Sequence, residues 1–138
     1  MRIKVDNEKC IPQRAHPMDA GADLIAKEDI WLHKWVRTLV KTGVYTEIQP
    51  GYVGLLFPRS SLSKVGVTMT NSVGVIDSDY RGEIMASLMY VGELDGHYIR
   101  AGDKIVQLVV VPIALPTFEV VNELGDTARG AGGFGSTG

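Results

Sequence analysis

Apolar positions recur along the chain in short alternating runs, not in helical stripes. Arg2–Val5 reads as one such run, followed by Val36–Lys41 (VRTLVK), Val44–Ile48 (VYTEI) and Tyr52–Phe57 (YVGLLF). Further on come Glu83–Tyr90 (EIMASLMY), Lys104–Val111 (KIVQLVVV) and Thr117–Val121 (TFEVV). Turn signals fall between them at Thr42-Gly43, Gln49-Pro50-Gly51, Gly92–Gly96 and Ala101-Gly102-Asp103. Period-two runs bounded by such turns predict strands, and many short strands at close spacing predict an all-β sandwich or barrel. A single helical turn is expected at Arg59–Lys64, just after Pro58. Apolar Val73–Ile76, a polar tip and then Glu83 onward predict a hairpin.

Composition sharpens this picture. A chain of 138 residues is long enough for one compact domain and too short for two. The 16 glycines and 6 prolines exceed the usual share and fit a turn-rich β protein. The net charge is −2 and no run of Lys or Arg occurs, which argues against a polynucleotide held by its phosphates. With one cysteine, Cys10, the chain has no disulfide framework and no Cys-based zinc site. His16, His33 and His97 lie far apart and match no metal-ligand spacing. Residues 1–9 are rich in charge and carry no apolar signal stretch behind them. The apolar run Leu108–Leu115 is too short to span a bilayer as a helix. A cytoplasmic protein is expected.

The last segment departs from the strand pattern. Gly125–Gly138 holds six glycines and one large apolar residue, Phe134. Such a segment buries too little to offset its ordering entropy. The expected organisation is a β domain over 1–124 and a flexible arm over 125–138, which orders on a ligand or simply frays.

Several polar constellations interrupt the apolar runs. Gly130-x-Gly132-x-x-Gly135 matches a dinucleotide fingerprint by letter, but lacks the strand before and the helix after that the motif needs. What remains is a chain of backbone N–H groups able to approach an anion, with Arg129, Ser136 and Thr137 as added donors. Asp77-Ser78-Asp79-Tyr80-Arg81-Gly82 begins like a calcium loop but has Arg81 and Leu88 where ligands are required, so an EF-hand is rejected. Taken alone, Asp77 reads as an ordinary solvated turn carboxylate. Arg59-Ser60-Ser61, opening a helical turn after an apolar strand, suits an anion; simple capping by a serine is the plainer alternative. Asp19-Ala20-Gly21-Ala22-Asp23 is a tight acidic turn entering a strand. Gln107 breaks an apolar run, which a satisfied core amide also explains.

Order and spacing bring these pieces together. DAGADLIA (Asp19–Ala26), PRSSLS (Pro58–Ser63), NSVGVIDSDYRGEI (Asn71–Ile84), GDKIVQLVVVP (Gly102–Pro112) and RGAGGFGSTG (Arg129–Gly138) resemble the five ordered motifs of the trimeric dUTP pyrophosphatases, the dUTPases. The resemblance runs from about residue 19 to the last residue, and its third and fifth motifs are the specific ones.

The resemblance implies a distorted jelly roll assembled as a homotrimer, with each active site shared between subunits. It implies hydrolysis of dUTP to dUMP and pyrophosphate by water attack on the α-phosphorus. That reaction keeps uracil out of DNA and supplies dUMP for thymidylate synthesis. Asp77 falls where the family keeps the carboxylate that activates the water. Tyr80 would pack on the deoxyribose. The segment Asn71–Met85 would receive uracil, with Asn71, Gly74, Val75, Ile76 and Met85 around the base. Arg59, Ser60, Ser61 and Gln107 would hold phosphates. Arg129, Gly135, Ser136 and Thr137 of the arm would hold the γ end, with Phe134 stacked over uracil. Mg²⁺ is the implied cofactor, carried by the substrate phosphates, with Asp23 reaching it through water. The turn Leu32-His33-Lys34-Trp35 departs from the family's usual Pro-Gly-acidic turn, and Trp35 is expected to lie on the sheet.

Two other readings share the fold. A dCTP deaminase needs a carboxylate on the strand after the hairpin, and Met85–Tyr90 carries none. A non-enzymatic jelly-roll module is compatible with the fold, but has no use for Asp77, Tyr80 and Arg129 together.

Overall fold

The computed structural model describes residues 1–133. Ten strands form three antiparallel sheets. The first sheet runs in the order β1 (Arg2–Val5), β4 (Thr38–Glu47), β8 (Ile84–Tyr90), β6 (Val67–Met69). The second runs β2 (Ala22–Ile25), β10 (Lys104–Pro112), β5 (Tyr52–Pro58), β7 (Gly74–Ile76). A small third sheet pairs β3 (Ile30–His33) with β9 (Gly96–Ile99). From β4 to β8 the chain crosses between the two large sheets at every step, so neighbours in sequence are not neighbours in the ladder. Among the described residues the one α-helix, α1 (Ser60–Lys64), follows β5 as expected. Among the described residues, no helix is long and apolar enough to cross a membrane.

Alternation explains the core. In β8, Ile84, Ala86, Leu88 and Tyr90 point inward while Met85, Ser87 and Met89 point outward. Leu24 and Leu56 come from the second sheet, Val40 and Leu88 from the first, and Leu32 and Ile99 from the third; all meet in one buried cluster. Each such side chain contributes about 1.5–3 kcal/mol by leaving water. The third sheet is clipped by Asp29, which accepts hydrogen bonds from the Tyr98 hydroxyl and the Ala101 N–H, both at 2.7 Å.

Four expectations need correcting. The runs Val36–Lys41 and Val44–Ile48 belong to one strand, β4, because Thr42-Gly43 makes a bulge and not a turn. Val73–Ile76 and Glu83 onward do not pair with each other. β7 pairs with β5, and β8 with β4 and β6, so the loop between them crosses from one sheet to the other. Thr117–Val121 forms no strand. After β10 the Ile113 N–H still donates to the Gly51 carbonyl, and beyond it the chain joins no sheet, with Phe118 95% and Val120 97% exposed. Trp35 does not lie on the sheet: it is 64% exposed in a left-handed turn at φ 63°. Strands β3, β6 and β9 were not expected, being only three or four residues long.

Candidate active site

The residues singled out in the sequence gather into two clefts. The first, about 510 Å³, opens where the loop after β7 approaches the outer face of β8. Asn71, Val75, Ile76, Asp77, Tyr80 and Met85 line it. Strand alternation places Met85 there, since its neighbours Ile84 and Ala86 are buried. Gly74 lies behind the cleft: it is buried in β7, and a Cβ on it would stand 3.1 Å from the Leu56 Cβ. Asp77 follows β7 directly and is exposed at the cleft wall. Its carbonyl accepts the Tyr80 N–H at 3.2 Å, closing a turn. The Arg81 Nη1 donates to the Ser78 and Tyr80 carbonyls at 2.7 and 3.0 Å and fastens that turn. The Tyr80 hydroxyl donates to the Glu83 carbonyl at 3.1 Å.

The second cleft, about 320 Å³, is lined by Asp19, Gly21, Asp23, Arg59, Ser60 and Gln107. A bulge in β10 builds it. Lys104 pairs with Ile25 and Val106 with Leu24, so Ile105 is an extra residue in the ladder. Ile105 and Val106 are both fully buried. Lys104 and Gln107, three apart, therefore emerge on one face, where plain alternation would put them on opposite faces. Gln107 faces Asp23 across the ladder, and Gly21 leaves room for it, because a Cβ there would lie 2.4 Å from Gln107 Oε1. The Arg59 N–H reaches the bulged Ile105 carbonyl at 3.4 Å.

Asp23 sits between two cations. Its Oδ1 is 3.2 Å from Arg59 Nε and its Oδ2 is 3.0 Å from Lys104 Nζ, with the carboxylate only 12% exposed. The residue N-terminal to α1 is Arg59, whose side chain makes no cap, so neither serine serves as the N-cap. Ser61 is exposed on α1 but does not line the cleft. Asp23, already engaged by cations at both oxygens, is not set for direct metal ligation; it fits a divalent ion brought by phosphates and met through water. Arg129 is exposed and its Nε donates to the Gly132 carbonyl at 2.9 Å. Phe134, Gly135, Ser136 and Thr137 lie outside the described residues.

The two clefts share no lining residue. The family model for dUTPase matches residues 7–138. The chain belongs to the dUTPase family. Across 136 residues it is 45% identical to a deoxyuridine 5'-triphosphate nucleotidohydrolase of Rhodococcus erythropolis, covering 98% of this chain and 83% of that one. Among solved structures it resembles the Staphylococcus bacteriophage 80alpha dUTPase with dUPNHPP, at 29% identity and a TM-score of 0.84, covering 99% of this chain and 97% of that one. It also resembles a dUTPase of the S. aureus phage phi11 whose structure describes coordination of a structural Mg(II) ion. That match has 27% identity and a TM-score of 0.82, covering 91% of this chain and 98% of that one.

Against the dUTPase motifs, two polar residues went unnoticed in the sequence, Glu83 on the wall of the first cleft and Lys104 beside the second. Lys104 stands three residues before Gln107, and only the bulge puts the pair together. Glu83 looked like the start of a strand, yet its carboxylate accepts the Gly43 N–H of β4 at 2.8 Å. A cluster of charge surrounds that contact: Asp6 bonds to Lys27, which holds the Asp6 carboxyl below its ordinary range and the Lys27 amine above its own. Burial pushes the nearby Tyr45 phenol up.

Proposed function

We propose that this protein hydrolyses dUTP to dUMP and pyrophosphate in the cytoplasm, that water attacks the α-phosphorus, and that three copies build each active site. One observation carries the shared-site reading: base-and-sugar residues and phosphate residues form separate clefts on one protomer. A single nucleotide needs both, so the first cleft of one copy faces the second cleft of another. The exposed apolar segment after β10 supports this, since Phe118 and Val120 are left uncovered by the described residues.

The chemistry follows from the side chains. Asp77 takes a proton from water, whose oxygen forms the new bond to the α-phosphorus. The bond to the α,β-bridging oxygen breaks, and its electron pair leaves with pyrophosphate. Tyr80 packs its ring on the deoxyribose and occupies the space a 2′-hydroxyl would need. Asn71 and the main chain of Gly74, Val75 and Ile76 read the uracil edge, with Met85 beneath. Cytosine reverses donor and acceptor, which leaves buried groups unpaired and is heavily penalised.

Arg59, Ser60, Ser61 and Gln107 bind the phosphates. Asp23 would meet a phosphate-borne Mg²⁺ through water, and the ion would supply charge neutralisation for the leaving pyrophosphate. The arm 125–138 of a third copy covers the site, with Arg129, Gly135, Ser136 and Thr137 at the γ end and Phe134 over uracil. Its closure excludes water other than the nucleophile.

The test is Asp77→Asn. The variant should keep nucleotide affinity and lose about 10²–10³-fold in kcat, the scale of a general base. Near-normal hydrolysis by Asp77→Asn would refute the role. Release of pyrophosphate from dUTP, dCTP, dTTP and UTP, with and without Mg²⁺, checks the substrate in parallel.

A further inference from the structure

β4 and β8 slip past one another where the Asp77–Gly82 loop re-enters the sheet. Lys41 pairs with Met85 and Val44 with Ile84, which leaves Thr42 and Gly43 outside the ladder. Side chains replace the lost partners. The Thr42 hydroxyl donates to the Ile84 carbonyl at 2.6 Å, and Glu83 Oε1 accepts the Gly43 N–H at 2.8 Å. Gly43 is a firm anchor. It lies at φ 68°, a Cβ on it would stand 2.7 Å from the buried Cys10 Sγ, and its carbonyl accepts the Asp6 N–H at 2.9 Å.

The main chain of Glu83 faces the other way. Its carbonyl accepts the Tyr80 hydroxyl. Gly82 makes that approach possible, since a Cβ there would lie 2.3 Å from the Tyr80 hydroxyl oxygen. One residue thus ties Tyr80 to the bulge of β4, through its carbonyl on one side and its carboxylate on the other.

We propose that Glu83 is a positioning residue that sets the discrimination between deoxyribose and ribose through Tyr80. The proposal rests on the reading of Tyr80 as the sugar platform. Rejection of a 2′-hydroxyl is a matter of excluded space, so it fails if the ring can retreat. The Glu83 carboxylate, held by the bulge, keeps the Glu83 carbonyl in place, and the carbonyl keeps the ring forward.

The experiment measures kcat and KM for dUTP and for UTP in the wild type, E83A and E83Q. E83A should raise the UTP-to-dUTP ratio of kcat/KM about tenfold, the scale of one lost hydrogen bond to a charged group. The change should appear mainly in KM. E83Q, whose amide oxygen can still accept the Gly43 N–H, should keep the wild-type ratio. An E83A protein with a lower Tm and an unchanged ratio overturns the proposal, and so does E83Q relaxed as far as E83A.

If E83A does not accumulate as folded protein, E83D, one methylene short of Gly43, is read in the same way. Y80A separates the two layers of the argument. A wild-type ratio in Y80A removes the sugar-platform reading itself. A relaxed ratio in Y80A beside an unchanged one in E83A removes Glu83 alone.

Discussion

The Arg59 guanidinium rests on the Asp23 carboxylate, Nε to Oδ1 at 3.2 Å, while Lys104 holds the other oxygen at 3.0 Å. Two cations share one anion, so Asp23 is doubly paired before any phosphate arrives. With Lys104 in place, Arg59 can give its charge to a phosphate without leaving Asp23 unpaired in a largely buried setting. K104M removes that second partner. It should raise KM for dUTP roughly tenfold, with a smaller effect on kcat, on the scale of a charge-assisted hydrogen bond. K104R should stay close to wild type. Steady-state kinetics at two salt concentrations decides it, and an unchanged KM in K104M would show that Lys104 is idle.

Acid stability has a traceable source in the third sheet. The Ala101 N–H and then the Tyr98 hydroxyl hold the Asp29 carboxyl below its ordinary value. A carboxyl lowered in the folded state stabilises the fold above its unfolded pKa of about 3.9, and that contribution is lost as pH falls through the lower folded value. Between the two values the unfolded chain binds more protons, so stability rises with pH there. D29N should therefore have a lower Tm at pH 6 and a flatter Tm profile below pH 4. Parallel thermal melts of both proteins across that range test this, and superimposable profiles would exclude the clip.

Phe118 and Val120 bear on assembly. Both are almost wholly exposed, two residues apart in the segment after β10. F118D should shift the protein toward monomer and reduce dUTP turnover in proportion. Sedimentation velocity reads the first effect, and an intact trimer in F118D would mean that the segment docks elsewhere.

Much of this architecture was legible from strand alternation. The run in β8 has one clear inward set, and the turns around β5, β8 and β10 are marked by Gly and Pro. Legibility failed where parity changes inside a strand. Thr42-Gly43 has the letters of a turn, and nothing local says that Thr42's hydroxyl and Glu83's carboxylate will keep the strand continuous across it. Thr117–Val121 has the letters of a strand, but pairs with no strand among the described residues.

The candidate site was legible as motifs and not as geometry. Asp77 and Tyr80 come from one loop, and their closeness follows from spacing. Asp23, Arg59 and Gln107 come from three strands or strand ends, and nothing in the residues alone brings them together. Lys104 was missed because a simple period of two sends it away from Gln107. The partition of the residues into two clefts depends on tertiary packing throughout.

The extra residue in β10 has a consequence for anyone who would re-engineer this protein. Deleting Ile105 would restore a regular strand, with Lys104 two residues from Gln107 and still on its face. The interior, however, would lose Ile105, one of the two adjacent side chains that the bulge turns inward and that are fully buried. Catalytic pocket and interior are thus written on the same nine residues, so neither can be redrawn without the other.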